Sequence, residues 1–285
     1  PQCVHLLDTA TLPTSRLMIT PRGATAGEQA WLDGGYVEHF LRYNSAEGRG
    51  VCIWGKREGG VTSYALVSQK PGTAEPARVH RLPPCESGQY QSFFISANDP
   101  ERNETLVAFT VFDKIAGGLS EEAAVTVYAV TDDGSPRRVA SFKTVRKPHD
   151  IFVGRGQAMF VEYVEDEDGS RARGRIINTR TGNIVTFPID PVVYGVAFSP
   201  DGSRVYAASS IQGTLCEYDA ASGRLLSRVT CGTHGHALGF VGEGILAWLR
   251  NDGIFLLRAG GGVLAPLSYI ANTTLADGFW HLDGS

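Results

Sequence analysis

Hydrophobic positions along this chain come in short runs rich in Val, Ile, Tyr and Phe, separated by brief turn signals. Between residues 193 and 230 the runs VVYGVAF, RVYAAS, TLCEYD and LLSRVT are divided by Ser199-Pro200-Asp201-Gly202, Ile211-Gln212-Gly213 and Ala221-Ser222-Gly223. Runs of this length and composition, bounded by Gly, Pro, Asp and Ser, predict strands joined by tight turns. Asp201-Gly202 is the predicted tip of the first hairpin, with Gly202 in a left-handed conformation. The same rhythm returns at 236–267 (HALGF, ILAWL, GIFLLR, GVLAPL), 150–189 (DIFVG, AMFVEYV, GRIINT, NIVTFPI), 90–142 and 36–82. In the 90–142 unit, residues 113–122 read as an insertion that lengthens one loop. Residues 20–33 fit no strand pattern.

Four strands in about forty residues, repeated along a chain, describe the blades of a β-propeller. The 193–230 stretch resembles a repeat of the WD40 and YVTN-type propellers. Phe198-Ser199-Pro200-Asp201-Gly202, Gly213-Thr214, and Tyr218-Asp219 followed by Ser222-Gly223 carry the resemblance, with Tyr218-Asp219 standing where a WD40 repeat has Trp-Asp. It implies an all-β fold with residues 1–285 forming one propeller domain. Five blades are visible. Pooling the ends, 1–35 (CVHLLD, SRLMIT) and 268–285 (GFWHL), makes a sixth, and seven blades also fit the length. A segment near Val4 to Thr20 pairing with Phe279 to Leu282 would close the ring and remove an exposed sheet edge.

Charge and cysteine content narrow the function. A net charge of -4 gives no electrostatic footprint for nucleic acid. No apolar run approaches the roughly 20 residues of a membrane-spanning helix. Cys3, Cys52, Cys85, Cys216 and Cys231 form no CxxC pair. Cys216 and Cys231 fall out of register for a bridge, so they read as free thiols, which leans intracellular. Asn103-Glu104-Thr105 and Asn272-Thr273-Thr274 match the glycosylation pattern and keep a secreted or surface-exposed protein open. Glu165-Asp166-Glu167-Asp168 reads as a solvated hairpin tip, or as a site for calcium or a basic partner. Arg171, Arg173 and Arg175 lie on alternate positions of one strand face and are expected to neutralise that tip.

No nucleotide loop, nucleophile elbow or zincin helix occurs in the sequence. The chemistry-bearing candidates are histidines at blade starts. His149, Asp150 and His236 are the candidate catalytic residues, and His39, His149, His236 and His281 the candidate metal ligands. Lys147-Pro148-His149-Asp150-Ile151 resembles the blade starts of propeller lyases and of propeller oxygenases that hold a metal with histidines. That resemblance implies lyase, lactonase or metal-assisted chemistry, with a divalent metal as the cofactor it would need. Against this, Gly235-His236 stands where a WD40 repeat has its Gly-His pair, which implies a buried, structural His236. The fifth blade has Phe255-Leu256-Leu257-Arg258 where that family would place the partnering Asp. Trp31, Tyr36, Trp54, Tyr90 and Trp280 are candidate partner-binding aromatics, and Trp248 is a core residue. The expected function is a non-enzymatic scaffold that binds another protein, with no cofactor, no nucleic acid and no membrane insertion. The alternative is a propeller enzyme or ligand-binding protein with a histidine-lined site.

Overall fold

A computed structural model describes residues 2–6, 15–19, 21–44, 49–59, 61–70, 73–83, 88–99, 101–131, 134–145, 148–166, 169–232 and 235–271. They divide into two compact units, one of residues 1–98 and 103–143, the other of 99–102 and 144–285.

The first unit opens with a two-stranded hairpin, β1 (Gln2–Leu6) and β2 (Ser15–Ile19), which pair antiparallel. Helix α1 (Ala26–Leu32) follows, then a four-stranded sheet of β3 (Tyr36–Asn44), β4 (Arg49–Glu58), β5 (Val61–Gln69) and β6 (Arg78–Arg81). A second sheet holds β7 (Gln89–Asp99), β8 (Glu104–Ile115), β9 (Gly118–Val130) and β10 (Pro136–Thr144) in sequence order. Val51 and Ile53 of β4 meet Val107, Phe109 and Val130 of the second sheet. The intervening Cys52 and Trp54 point to the other face, where Leu32 and Trp31 of α1 cover them. The helix forms because Thr25 and Glu28 make a reciprocal capping box, Thr25 Oγ1 accepting the Glu28 N–H and the Glu28 carboxylate accepting the Thr25 N–H. Lys56 then donates to the Ala30 carbonyl at 2.8 Å. Residues 20–33, unreadable as strand, thus contain a helix. Residues 113–122 are corrected too: they extend β8 and β9 into a long hairpin, not a loop, since only 116 and 117 separate the two strands.

The second unit stacks three four-stranded sheets: β11 (Asp150–Gly154), β12 (Gln157–Asp166), β13 (Gly169–Asn178) and β14 (Ile184–Ile189); β15 (Val193–Phe198), β16 (Arg204–Ser209), β17 (Thr214–Asp219) and β18 (Leu225–Thr230); and β19 (Gly235–Gly242), β20 (Ile245–Arg250), β21 (Gly253–Gly260) and β22 (Val263–Ala271). Met159, Val161, Ile176 and Phe187 pack against Val196, Val205, Cys216 and Tyr218. On the next sheet's side, Tyr206, Ala208 and Leu215 pack against Leu238, Leu246, Trp248 and Leu257. Trp248 is fully buried, as expected. The first strands lie side by side and run the same way: Gly154 sits on Phe198, and Gly195 sits on Ala237 and Leu238, where a Cβ would clash. Cys52, Cys216 and Cys231 are free and buried. The side chains of the acidic tip lie outside the described residues, and Arg175 is placed elsewhere in the same sheet. Its guanidinium is buried against Glu162, Nε to Oε1 at 2.8 Å.

The protein is therefore all-β, made of up-and-down four-stranded sheets of the β-propeller type. The segment expected to close the ring, 279–282, lies outside the described residues, as do Trp280 and His281.

Residues 199–204 form the hairpin tip expected between β15 and β16. Gly202 has φ +71, and its N–H donates to the Ser199 carbonyl at 2.8 Å. The Asp201 carboxylate accepts from the Ser199 hydroxyl at 2.6 Å and from the Ser203 N–H and hydroxyl. These hydrogen bonds, that from Ser199 foremost, hold its pKa down at about 2. Gly202→Val should lower unfolding free energy by about 1 kcal/mol or more, because a side chain at this φ is strained and would press on Arg155 and Gln157. Denaturant midpoints at constant slope check this. A carboxylate with a depressed pKa adds stability that is complete above the ordinary aspartate range and is lost as pH falls through the folded-state value. An NMR titration should therefore place the Asp201 midpoint near 2, and Ser199→Ala should move it upward.

Candidate functional site

Because the first strands of the second unit are codirectional and each sheet is antiparallel, the connections leading into β11, β15 and β19 emerge at the same end as the β12–β13, β16–β17 and β20–β21 turns. At this end His149 begins the first sheet. Its backbone N–H donates to the Val161 carbonyl at 2.8 Å. Its Nδ1 lies 2.9 Å from Asp150 Oδ2, and its ring meets Tyr163 edge-on at 5.1 Å. Both His149 and Asp150 are well exposed. Tyr163 is partly buried. Burial chiefly, with the Tyr194 phenol and the Asp150 carboxylate, pushes its pKa up to about 12.

The next sheet contributes Tyr194, 43% exposed, and Ile211, 65% exposed. Val192, just before β15, has φ +57, a conformation that β-branched residues rarely adopt. Ser209 donates its hydroxyl to the Pro191 carbonyl at 2.5 Å, and Ser210 N–H donates to the Val192 carbonyl at 2.9 Å, so this entry is pinned. Asp190 accepts from Thr214 Oγ1 at 2.5 Å and pairs with Arg228 at 3.0 Å.

The third sheet contributes His236, which is exposed and hydrogen-bonds the Asn251 side chain through Nε2. The buried, structural His236 implied by the Gly-His resemblance is thus overturned. Gly235 is what packs into the sheet, its Cα lying so close over the Trp248 indole that a Cβ would not fit. Arg250 pairs with Asp252 at 2.7 Å and lies over the Tyr269 ring at 5.8 Å, and the Tyr269 hydroxyl donates to the Asp252 carbonyl at 2.6 Å.

In the first unit, His39 is exposed, with Nε2 3.2 Å from Ser96 Oγ. Tyr36 is half-buried, its pKa raised by desolvation and by Glu38. Tyr90 is exposed. Trp31 packs on the first sheet under the Arg81 guanidinium at 5.1 Å. Trp54 is core, not surface, because it faces α1. His39, His149 and His236 each have a different polar neighbour, and no group of three or more His, Cys, Asp or Glu positioned for a metal occurs among the described residues. The sequence reading missed Tyr163, Tyr194 and Ile211. Alternation did not mark Tyr194, because a bulge between Val193 and Gly195 breaks the two-residue period of β15 and leaves Tyr194 exposed while Val193 and Val196 are both buried.

No protein-family model matches this sequence, and no curated protein does. Solved structures do share the fold. A eukaryotic initiation factor is 15% identical with a TM-score of 0.50, over 84% of this chain and 55% of its own. Sqt1 from Chaetomium thermophilum is 16% identical with a TM-score of 0.46, over 77% of this chain and 55% of its own. A candidate 6-phosphogluconolactonase from Bacteroides uniformis is 13% identical with a TM-score of 0.45, over 75% and 65%. The chain thus spans about half the length of the first two. At these identities the likeness is one of fold alone.

Exposed side chains contribute little to packing, so His149→Ala and His236→Ala should each change stability by no more than about 0.5 kcal/mol. Differential scanning calorimetry checks this. A drop of several degrees for His236→Ala would restore its structural role.

Proposed function

We propose that this chain is a non-enzymatic, WD40-like propeller of one domain that binds another protein, with the end of the second unit just described as its contact face. The observation that carries this reading is the exposure there of large apolar and aromatic side chains, Val145, Tyr194, Ile211, Tyr269 and Ile270, on turns and strand ends held by backbone and side-chain hydrogen bonds. Exposed aromatics on a rigid frame are what interface hot spots use, and a surface already ordered loses little entropy on binding. The turn chemistry at Ser199, Asp201 and Asp219, where Asp219 accepts from the Ser222 N–H and hydroxyl and pairs with Arg204, supports the WD40-like assignment. No helix among the described residues is long and apolar enough to cross a membrane. The net charge of -4 favours a protein over a nucleic-acid partner. Buried thiols favour an intracellular setting: burial raises Cys52 and Cys216 to about 12 and Cys231 to about 11, which keeps them protonated and unreactive.

A second reading, an enzyme or ligand-binding protein, is favoured by the His149–Asp150 contact, since a carboxylate at Nδ1 orients an imidazole for proton transfer.

The test compares proteins retained by the wild type and by a Tyr194→Ala/Ile211→Asp double variant, each first shown to melt normally. Loss of a specific partner by at least tenfold in the variant is expected. Retention equal to wild type would overturn the assignment of this face, and turnover of any small molecule abolished by His149→Ala would favour the second reading.

A further inference from the structure

We infer that His149, Asp150, Tyr163 and Tyr194 together form a subsite for a cationic side chain, lysine or arginine, presented by a basic segment of the partner protein; this rests on the interaction reading above. The chemistry of the four groups is one-sided. Asp150 is half-exposed and takes the His149 Nδ1 position at 2.9 Å. Asp150 brings formal negative charge. Tyr163 adds a partly buried ring edge-on to His149, and Tyr194, 43% exposed, lies close enough for its phenol to help raise the Tyr163 pKa. An anionic ligand would meet the Asp150 carboxylate. A neutral aliphatic group would leave the carboxylate without a new donor. An ammonium or guanidinium offers several N–H donors and no acceptor, and a ring beside the carboxylate attracts it further.

One feature shows that the Tyr194 side of the subsite is held in place. Val192 keeps φ +57, pinned by Ser209 and Ser210, immediately ahead of the strand that carries Tyr194. Strain retained in a β-branched residue is characteristic of functional positions.

The test uses the purified full chain and labelled, length-matched peptides bearing arginine, lysine, glutamine or glutamate at one central position, read by fluorescence anisotropy. The arginine or lysine peptide should bind, with affinity falling as salt rises, and the glutamine and glutamate peptides should bind at least tenfold more weakly. Asp150→Asn and Tyr194→Ala should each reduce basic-peptide affinity at least tenfold, and Tyr194→Phe, which keeps the ring, should not. Arginine and lysine arms identify which cation is preferred. The proposal is overturned if no basic peptide binds, if the glutamate peptide binds as well, or if both variants bind like wild type while melting normally. Partner retention lost in Ile211→Asp but unchanged in Asp150→Asn would sink the cation subsite and leave the interaction reading standing.

Discussion

Everything in this fold follows from one constraint: a sheet that is apolar on both faces must be covered on both. The second strands carry the consequence most visibly. In β4, Val51 and Ile53 go to one neighbour while Cys52 and Trp54 go to another. In β16, Val205 and Ala207 face one sheet and Tyr206 and Ala208 the next. Both sides being buried, these strands read as unbroken apolar runs. The outer strands, with one side toward water, alternate instead, as in the exposed and half-buried sequence of β18. At about 25 cal/mol per Å² of apolar surface, an uncovered face of this kind would be costly. In the first unit a seven-residue helix with Trp31 and Leu32 supplies the cover that a sheet supplies elsewhere.

Burial on both faces leaves little room for charged groups, and two buried carboxylates, Glu217 and Glu162, sit beside arginines. Glu217, fully buried, accepts from the Tyr206 hydroxyl at 3.2 Å and lies 3.6 Å from Arg204 Nε. Glu162 and Arg175 pair in the same manner. An apolar pair of similar size could be as stable, so these ion pairs are better understood as fixing which strands meet than as sources of stability. The turns obey the same rule. Asp201, Asp219 and Asp190 each satisfy several donors at the sheet ends, so the loops that reach solvent are fixed by their own side chains, and function can be placed on them without loss of order.

The blades were legible in the sequence because the strand runs and Gly-containing turns are local signals: the strands of all five four-stranded sheets fall where the runs predict. The helix was not read, although Thr25 and Glu28 have capping-box spacing, because seven residues, about two turns, leave almost no 3.6-residue periodicity. Residues 113–122 were misread because Glu121, Glu122 and Gly117-Gly118 look like loop, whereas strand pairing out to Ile115 and Gly118 overrides that composition. The site was only half visible. Sequence placed His149 next to Asp150 at a blade start but did not set the register that pairs Asp150 with Val161 and so brings Tyr163 against the His149 ring.

His236 shows how far a repeat pattern can be trusted. Gly235 and His236 occupy positions at which a WD40 repeat would bury the histidine, and the fifth sheet lacks the aspartate that would receive it. With no buried acceptor, an imidazole there would leave polar nitrogens unsatisfied at about 1–3 kcal/mol. The ring turns outward to Asn251 instead, and the interior is filled by Trp248 lying directly under Gly235. His149, Tyr194, Ile211 and His236 stand at one end of the second unit, each exposed at a turn or strand start, and in a fold that serves many functions it is such side chains, not the backbone, that decide what a site can do.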